Sequence, residues 1–379
     1  MAERLSLAQM ADTAIRVEEH AAGAGRLVRV TLQVPSTLNS LTLEMVDELQ
    51  EKLDLWRTDP GIAAIFFEGA GDKAFCAGGD IQALYRDVTA TPGGPCEYAE
   101  TFFQREYRLD YTLHTYPKPI VCWAHGIVMG GGLGVMAGCS HRIVTEKTRI
   151  AMPEVGIALF PDVGGSWFLN HMPGKCGHFL SLTGASINAA DAIYTGLADR
   201  FVDSERREQV FDALVRQRWQ VDEAANHALV KHILRPFAEQ SLSQCPGGQV
   251  EPHLGSIATL CDGDDVHEIV DNIVAQQTQD PWLSAAAKSM GRGSPLAALL
   301  SYRQLAKTRH ASLREVFQAE LVLATNIMRY PEFAEGVRAL LIDKDRTPDW
   351  RYKSTRDVPE ELVDTFFVPP WHENPLEDL

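Results

Sequence analysis

"PKPIVCWAHGIVMGGGLGVMAG" runs from Pro117 to Gly138. Its first half, "KPIVCWAHGIV" (118–128), is a short apolar run of the kind that makes a buried strand. Three glycines follow at 130–132, and behind them "LGVMAG" has helical character. Strand, glycine turn, helix is the grammar of an α/β layer. The same grammar occurs upstream. "IAAIFFEG" (62–69) is a second apolar run, and "AFCAGGD" (74–80) is a second glycine turn. Asp80 is placed to cap the helix "IQALYRD".

The flanks agree. "RLVRVTLQV" (26–34) alternates with period two and predicts a strand. "TLEMVDELQEKLDLW" (42–56) repeats at helical spacing, with Thr42 as N-cap and Pro60 just beyond its end. "HRIVT" and "TRIAM" (141–152) predict two short strands around "EKT". From about residue 205 the texture changes to amphipathic helices, among them "DVHEIVDNIVAQQ" and "SLREVFQAELVLATNIMRY", without clear strands between them. The division expected is an N-terminal extension (1–25), a mixed α/β core (26–205) and a helical C-terminal region (206–379). The Pro-rich, acidic end, "FFVPPWHENPLEDL", is expected to wrap the surface. No internal repeat is visible.

Composition narrows the function. The 379 residues are 45% hydrophobic and 23% charged, enough for a large core. With 51 acids against 35 bases the formal charge is -16, which disfavours nucleic acid or anionic lipid as the main partner. An anionic cofactor remains compatible, because a few local cations suffice. The seven cysteines show no C-x-x-C spacing and suit small buried hydrophobes in a reduced compartment. Metalloprotease and P-loop signatures are absent. The first residues carry acids and no apolar block, and no window approaches ~18 apolar residues, so the expected address is the cytoplasm, with no membrane partner.

Glycine turns that lead into helices present free backbone N–H groups, backed by the helix dipole. Two such turns, if they converge, can hold a developing oxyanion. Downstream, "MPEVGIALFPDVGG" (152–165) sets Glu154 and Asp162 into an otherwise apolar stretch. Acids in such a setting have their pKa values driven apart. Plainer roles exist. Asp162 after Pro161 suits a turn, Glu154 could pair with Arg142 or Arg149, and His125 suits packing. Gly132 to Ala137 also matches G-x-G-x-x-A, with Glu154 near the ribose-binding distance, but no early βαβ unit carries the motif.

Four motifs in order, "NSLTLEMVDEL", "AFCAGGDI", "PKPIVCWAHGIVMGGGLG" and "AMPEVGIALFPDVGG", resemble the crotonase (enoyl-CoA hydratase/isomerase) superfamily. The resemblance implies an α/β fold with a ββα spiral core and acyl-CoA thioesters as substrates. It also implies an oxyanion hole from the N–H groups of Gly79 and Gly131. CoA would enter as part of the substrate, with no permanently bound cofactor and no metal. Trimers or their multiples are common in the superfamily, so a homo-oligomer is possible; alternatively the helical region folds over its own active site. Typical hydratases carry a glutamate two positions after the triple glycine, where this chain has Gly134. "MPE" with "FPDVGG", Glu106 in "FFQREY", and "EFAEGVRALLIDKDRTPDW" (332–350) resemble the 3-hydroxyisobutyryl-CoA hydrolase branch. That branch implies thioester hydrolysis in valine breakdown. Glu154 would be nucleophile or general base, Asp162 its partner across the acyl group, and Glu106 a substrate contact. Lys73 could reach a CoA phosphate. The alternatives are a hydratase or isomerase on the same fold, or a non-catalytic acyl-CoA-binding protein; Glu106 itself could instead lie on an exposed helix face.

Overall fold

The computed structural model describes residues 14–23 and 25–379. A six-stranded sheet runs in the order β1-β2-β3-β5-β7-β9 and a three-stranded sheet in the order β4-β6-β8. β1 (Ile15–Ala22) pairs antiparallel with β2 (Gly25–Leu32). The large sheet therefore begins inside the stretch expected to be an extension; residues 1–13 of that stretch lie outside the described residues. The remaining pairs are parallel: β3 (Ile62–Gly69), β5 (Ile120–Ala124), β7 (His141–Val144) and β9 (Arg200–Phe201). All eight residues of β3 are buried. Both faces of this sheet are covered, which is why its strands are apolar without alternation. One face carries the main core. The other packs Phe66, Trp123 and Ile143 against Phe211 and Leu214 of the Arg207–Val215 helix and Ile233 of the Glu223–Ser241 helix.

The small sheet explains the glycine motifs. β4 (Ala74–Cys76), β6 (Ile127–Met129) and β8 (Arg149–Ala151) are parallel neighbours. The chain visits the large sheet, then the small one, then a helix or turn, three times in succession. The first circuit ends in α1's successor α2 (Ile81–Ala90), where α1 is Leu43–Thr58. A long helix, α3 (Glu97–His114), follows. The second circuit ends in α4 (Gly131–Gly138), and the third leads to a tight turn at Glu154–Ile157 and to α5 (Gly165–Asn170). This is a structural repeat that the sequence does not display, because what recurs is strand direction and sheet assignment rather than residue identity. "KPIVCWAHGIV" is two strands in two sheets, not one. Gly126 turns the chain between them at φ 61°, and a side chain there would collide with the Lys73 carbonyl at 2.2 Å.

The caps read from sequence are in place. Thr42 accepts from Met45 N–H and Asp80 from Ala83 N–H. After β9 the described residues hold helices and loops but no further strand. The Leu313–Met328 helix lies along α3, with Phe317 against Tyr107, Tyr111 and His114. The C-terminal end does wrap the surface. Arg108 on α3 grips Asp378 and the Pro375 carbonyl, and Leu376 is buried.

Candidate active site

Parallel pairing of β4, β6 and β8 sets three chain segments side by side at the carboxyl ends of the strands, where open α/β sheets place their ligands. Ala77-Gly78-Gly79 leaves β4, Gly130-Gly131 leaves β6, and Met152-Pro153-Glu154 leaves β8. They border a cavity of about 260 Å³ together with Glu106, Asp162, Phe102, Phe103, Leu84 and Ile157.

Local hydrogen bonding decides which N–H groups are free. Leu41 N–H donates to the Gly78 carbonyl and Asp80 N–H to the Leu41 carbonyl, each at 2.8 Å. The Gly79 N–H lies between these two bonds and takes no part in them. Gly131 opens α4, where the first N–H groups have no intrahelical acceptor. The two glycines face each other: a Cβ on Gly131 would stand 3.5 Å from the Gly79 nitrogen. It would also stand 2.1 Å from Glu106 Oε1, so only glycine fits there. The arrangement can hold a negative oxygen between two unspent donors.

Three carboxyls reach the same cavity. Glu106, Glu154 and Asp162 are all buried. Glu106 is on the inward face of α3, so its alternative place on an exposed helix face does not hold. Glu106 Oε1 and Glu154 Oε2 have no hydrogen-bond partner among the described residues. The arginines that might have paired with Glu154 are elsewhere: Arg142 forms a bidentate pair with Asp199, and Arg149 is exposed. Burial, then the Asp162 charge, holds Glu106 and Glu154 well above the ordinary glutamate range. Asp162 differs. Burial raises it, but Tyr107 Oη donates to its Oδ2 at 2.7 Å and pulls it back, leaving it at about 6. Asp162 therefore ionises first.

The chain before and after Asp162 is bent to place it. Val163 has φ 53°, a conformation that costs energy for a β-branched residue, and Ala158 has φ 56°. Glu320, on the Leu313–Met328 helix, accepts from Gly164 N–H and Ser166 N–H at 2.8 Å each and caps α5. Its burial raises its own pKa to about 8.

Three buried polar groups around the site were not found from sequence. Tyr107, Glu320 and Asp110 lie in amphipathic helices whose pattern marks them only as helix residues. Asp110 sits one turn beyond Glu106 on α3, fully buried, with both carboxyl oxygens unpartnered. It does not border the cavity. It fills space beside Gly134, where a Cβ would stand 2.6 Å from Val163 Cβ and 2.8 Å from Asp110 Oδ2. A glutamate at position 134 has no room. Lys73, expected at a CoA phosphate rather than at the acyl group, does not border the Glu154 cavity. It is exposed and lines a separate cavity with Leu38 and Asn39. His125 is packed, with Nε2 2.8 Å from the Gly71 carbonyl oxygen. Leu340 and Leu341 also border the Glu154 cavity, so the C-terminal region reaches the candidate site of its own chain. All seven cysteines are unpaired. No cluster of three metal-ligating side chains occurs among the described residues, and no helix among them is long and apolar enough to cross a membrane.

The enoyl-CoA hydratase/isomerase family model matches residues 27–367. The chain belongs to that family. Within it, the chain is 38% identical over 344 residues to "3-hydroxyisobutyryl-CoA hydrolase, mitochondrial" of Danio rerio, covering 90% of this chain and 87% of that protein. It is 36% identical over 339 residues to the Homo sapiens protein of the same name, covering 89% and 85%. Two solved family structures superimpose over most of the chain. One is a carnitinyl-CoA dehydratase from Mycobacterium thermoresistibile (TM-score 0.84, 32% identity, 97% of this chain and 100% of that one). The other is an enoyl-CoA hydratase from Rhodobacter sphaeroides 2.4.1 (TM-score 0.81, 33% identity, 94% and 98%). The α/β spiral with a helical C-terminal region is thus this family's fold, and acyl-CoA is its substrate class.

Proposed function

We propose that this enzyme hydrolyses a short 3-hydroxyacyl-CoA, 3-hydroxyisobutyryl-CoA foremost, to the 3-hydroxyacid and CoA, a step of valine catabolism. The observation that carries the reading is the carboxyl set: Glu154 and Asp162 share an apolar cavity with two unspent N–H groups, while position 134 excludes a hydratase glutamate. The relatives named as hydrolases support the same reaction.

The chemistry follows from the order of ionisation. The resting cavity holds an ionised Asp162 and a neutral Glu154. As the thioester carbonyl settles between the N–H groups of Gly79 and Gly131, the Glu154 proton passes to Asp162. The Glu154 carboxylate attacks the carbonyl carbon, and the tetrahedral oxyanion is held by the two N–H groups. Collapse breaks the C–S bond and forms a mixed anhydride. Asp162 returns its proton to the CoA thiolate. It then takes a proton from the water that attacks the anhydride carbonyl. The carboxylic acid leaves, Glu154 is freed as carboxylate, and the Asp162 proton returns to it. Glu106 offers its unpartnered Oε1 to the substrate hydroxyl.

The test is release of free thiol from 3-hydroxyisobutyryl-CoA and 3-hydroxypropionyl-CoA, beside Glu154→Gln and Asp162→Asn. Release by the parent, reduced at least about 100-fold in both variants, is expected. No release, with crotonyl-CoA absorbance falling instead, would replace hydrolysis by hydration.

A further inference from the structure

The Leu313–Met328 helix and the Pro331–Val337 helix each bury a glutamate that the proposed chemistry does not use, Glu320 and Glu332. Neither borders the cavity of Glu154 and Asp162. Each spends both carboxyl oxygens on donors that lead to one of those two acids. Glu320 gives one oxygen to Gly164 N–H and the other to Ser166 N–H, at 2.8 Å each. These donors lie two and four residues after Asp162, beyond Val163 at φ 53°. A β-branched residue in that conformation stays there only while its surroundings hold it. Glu320 fixes the chain on the far side of the strained residue, and Asp162 lies on the near side.

Glu332 works on the other turn. Its Oε2 accepts from the Ser294 hydroxyl at 2.7 Å and its Oε1 from Arg351 N–H at 3.1 Å. The Ser294 hydroxyl also caps the Pro295–Thr308 helix by accepting from Ala297 N–H. Ser294 N–H donates to the carbonyl of Val155, the neighbour of Glu154, at 2.9 Å. Two glycines lie against the same turn. A Cβ on Gly293 would stand 2.8 Å from Val155 Cγ2, and one on Gly336 2.6 Å from Ile157 Cα. Gly336 is one helical turn beyond Glu332, so both face the Glu154 turn from one side of one helix.

We propose that Glu320 and Glu332 are positioning residues for the two cavity acids: Glu320 sets Asp162 through the backbone of residues 163–166, and Glu332 sets Glu154 through Ser294. Both oxygens of a carboxyl group can accept, whereas a glutamine offers one acceptor and turns its amide N–H toward the other donor. The inference rests on the hydrolase reading above and gives the helical C-terminal region a share in the reaction.

The test uses the full chain and the variants Glu320→Gln, Glu332→Gln and Ser294→Ala, with thiol release from 3-hydroxyisobutyryl-CoA. Each variant is expected to lose about ten- to 100-fold in kcat with KM within about threefold, because a displaced carboxyl weakens attack rather than binding. The acid limb separates the two glutamates. Asp162 faces Glu106, Tyr107 and Asp110 from α3, Glu154 from its turn, and Glu320. Glu320→Gln should move the limb upward from about 6, as Asp162 drifts from the Tyr107 hydroxyl. Loss of a negative charge alone would move it downward. Glu332→Gln should leave it in place. The Ser294→Ala/Glu332→Gln double variant should stay within about twofold of the slower single variant, whereas the losses of Glu320→Gln and Glu332→Gln should multiply. A glutamine variant with parental kcat, a downward limb in Glu320→Gln, or multiplying losses in the Ser294 and Glu332 pair overturns the proposal.

Amide hydrogen exchange reads the positioning apart from turnover. Residues 163–166 should exchange at least about tenfold faster in Glu320→Gln, and residues 154–156 in Glu332→Gln, each variant leaving the other segment at the parental rate. Equal loosening of both segments, or of neither, overturns the proposal. If the parent releases no thiol while these rates hold, the hydrolase reading fails and the positioning stands. Where a variant does not fold, exchange in the parent decides. Gly164 and Ser294 N–H as slow as the amides of β3 support the proposal, and loop-like rates overturn it.

Discussion

Replacing Tyr107 by Phe removes one hydroxyl and leaves the ring in its packing against Phe103 and Phe317. The hydroxyl donates to Asp162 Oδ2 at 2.7 Å, and both residues are buried. Without it, nothing opposes burial at that oxygen except the local backbone. A hydrogen bond to a charged group contributes about 1.5–3 kcal/mol. At about 1.36 kcal/mol per pH unit, the Asp162 midpoint would move from about 6 to roughly 7–8. Below its midpoint Asp162 is protonated and cannot accept the Glu154 proton, so this midpoint sets the acid limb of kcat/KM. At pH 7 the ionised fraction falls from about nine-tenths to between about a half and a tenth, a loss of roughly two- to tenfold in kcat/KM. At pH 9 the variant should recover to within about twofold of the parent. The assay is thiol release from pH 5 to 9.5, with circular dichroism confirming the fold at each pH. A limb that stays near pH 6, or a loss of equal size at pH 7 and pH 9, would refute the proton route through Asp162.

Gly131→Ala should lower kcat by about 100- to 1,000-fold, because the new Cβ falls 2.1 Å from Glu106 Oε1 and displaces the donor pair; a thioesterase assay on a variant with parental melting behaviour measures it. Asp110→Asn should alter the pH dependence of stability. Burial keeps Asp110 neutral far above its ordinary range, while in the unfolded chain it ionises near about 3.9. The folded state thus holds one more proton than the unfolded state above that pH, and stability falls with rising pH by up to about 1.4 kcal/mol per unit. Urea melts should show the variant gaining on the parent as the pH rises above about 4. A difference independent of pH would mean that Asp110 ionises in its ordinary range.

Much of the molecule was legible in one dimension. Period-two and period-3.6 patterns placed β2, α1 and four of the C-terminal helices, because each such element buries one face and exposes the other. Thr42 and Asp80 could be read as caps, because a cap is satisfied by a residue three positions away. The motifs around Gly79, Gly131, Glu154 and Asp162 were legible for the same local reason: each is a short segment whose residue types already state what its backbone must do. What sequence left undecided needed contacts between distant segments. Val28 and Phe75 are both apolar, and nothing in either says that one belongs to the large sheet and the other to the small one. Only the parallel pairing of β4, β6 and β8 brings three separated turns to one end of one sheet and makes a site of them. Asp110 and Tyr107 share helix α3 with ordinary surface residues. One became a neutral acid filling the space beside Gly134, and the other the hydrogen bond that lets Asp162 ionise before Glu154. Periodicity names a buried face, but the charge that a buried acid carries depends on every group packed around it, and that is set only when the fold closes.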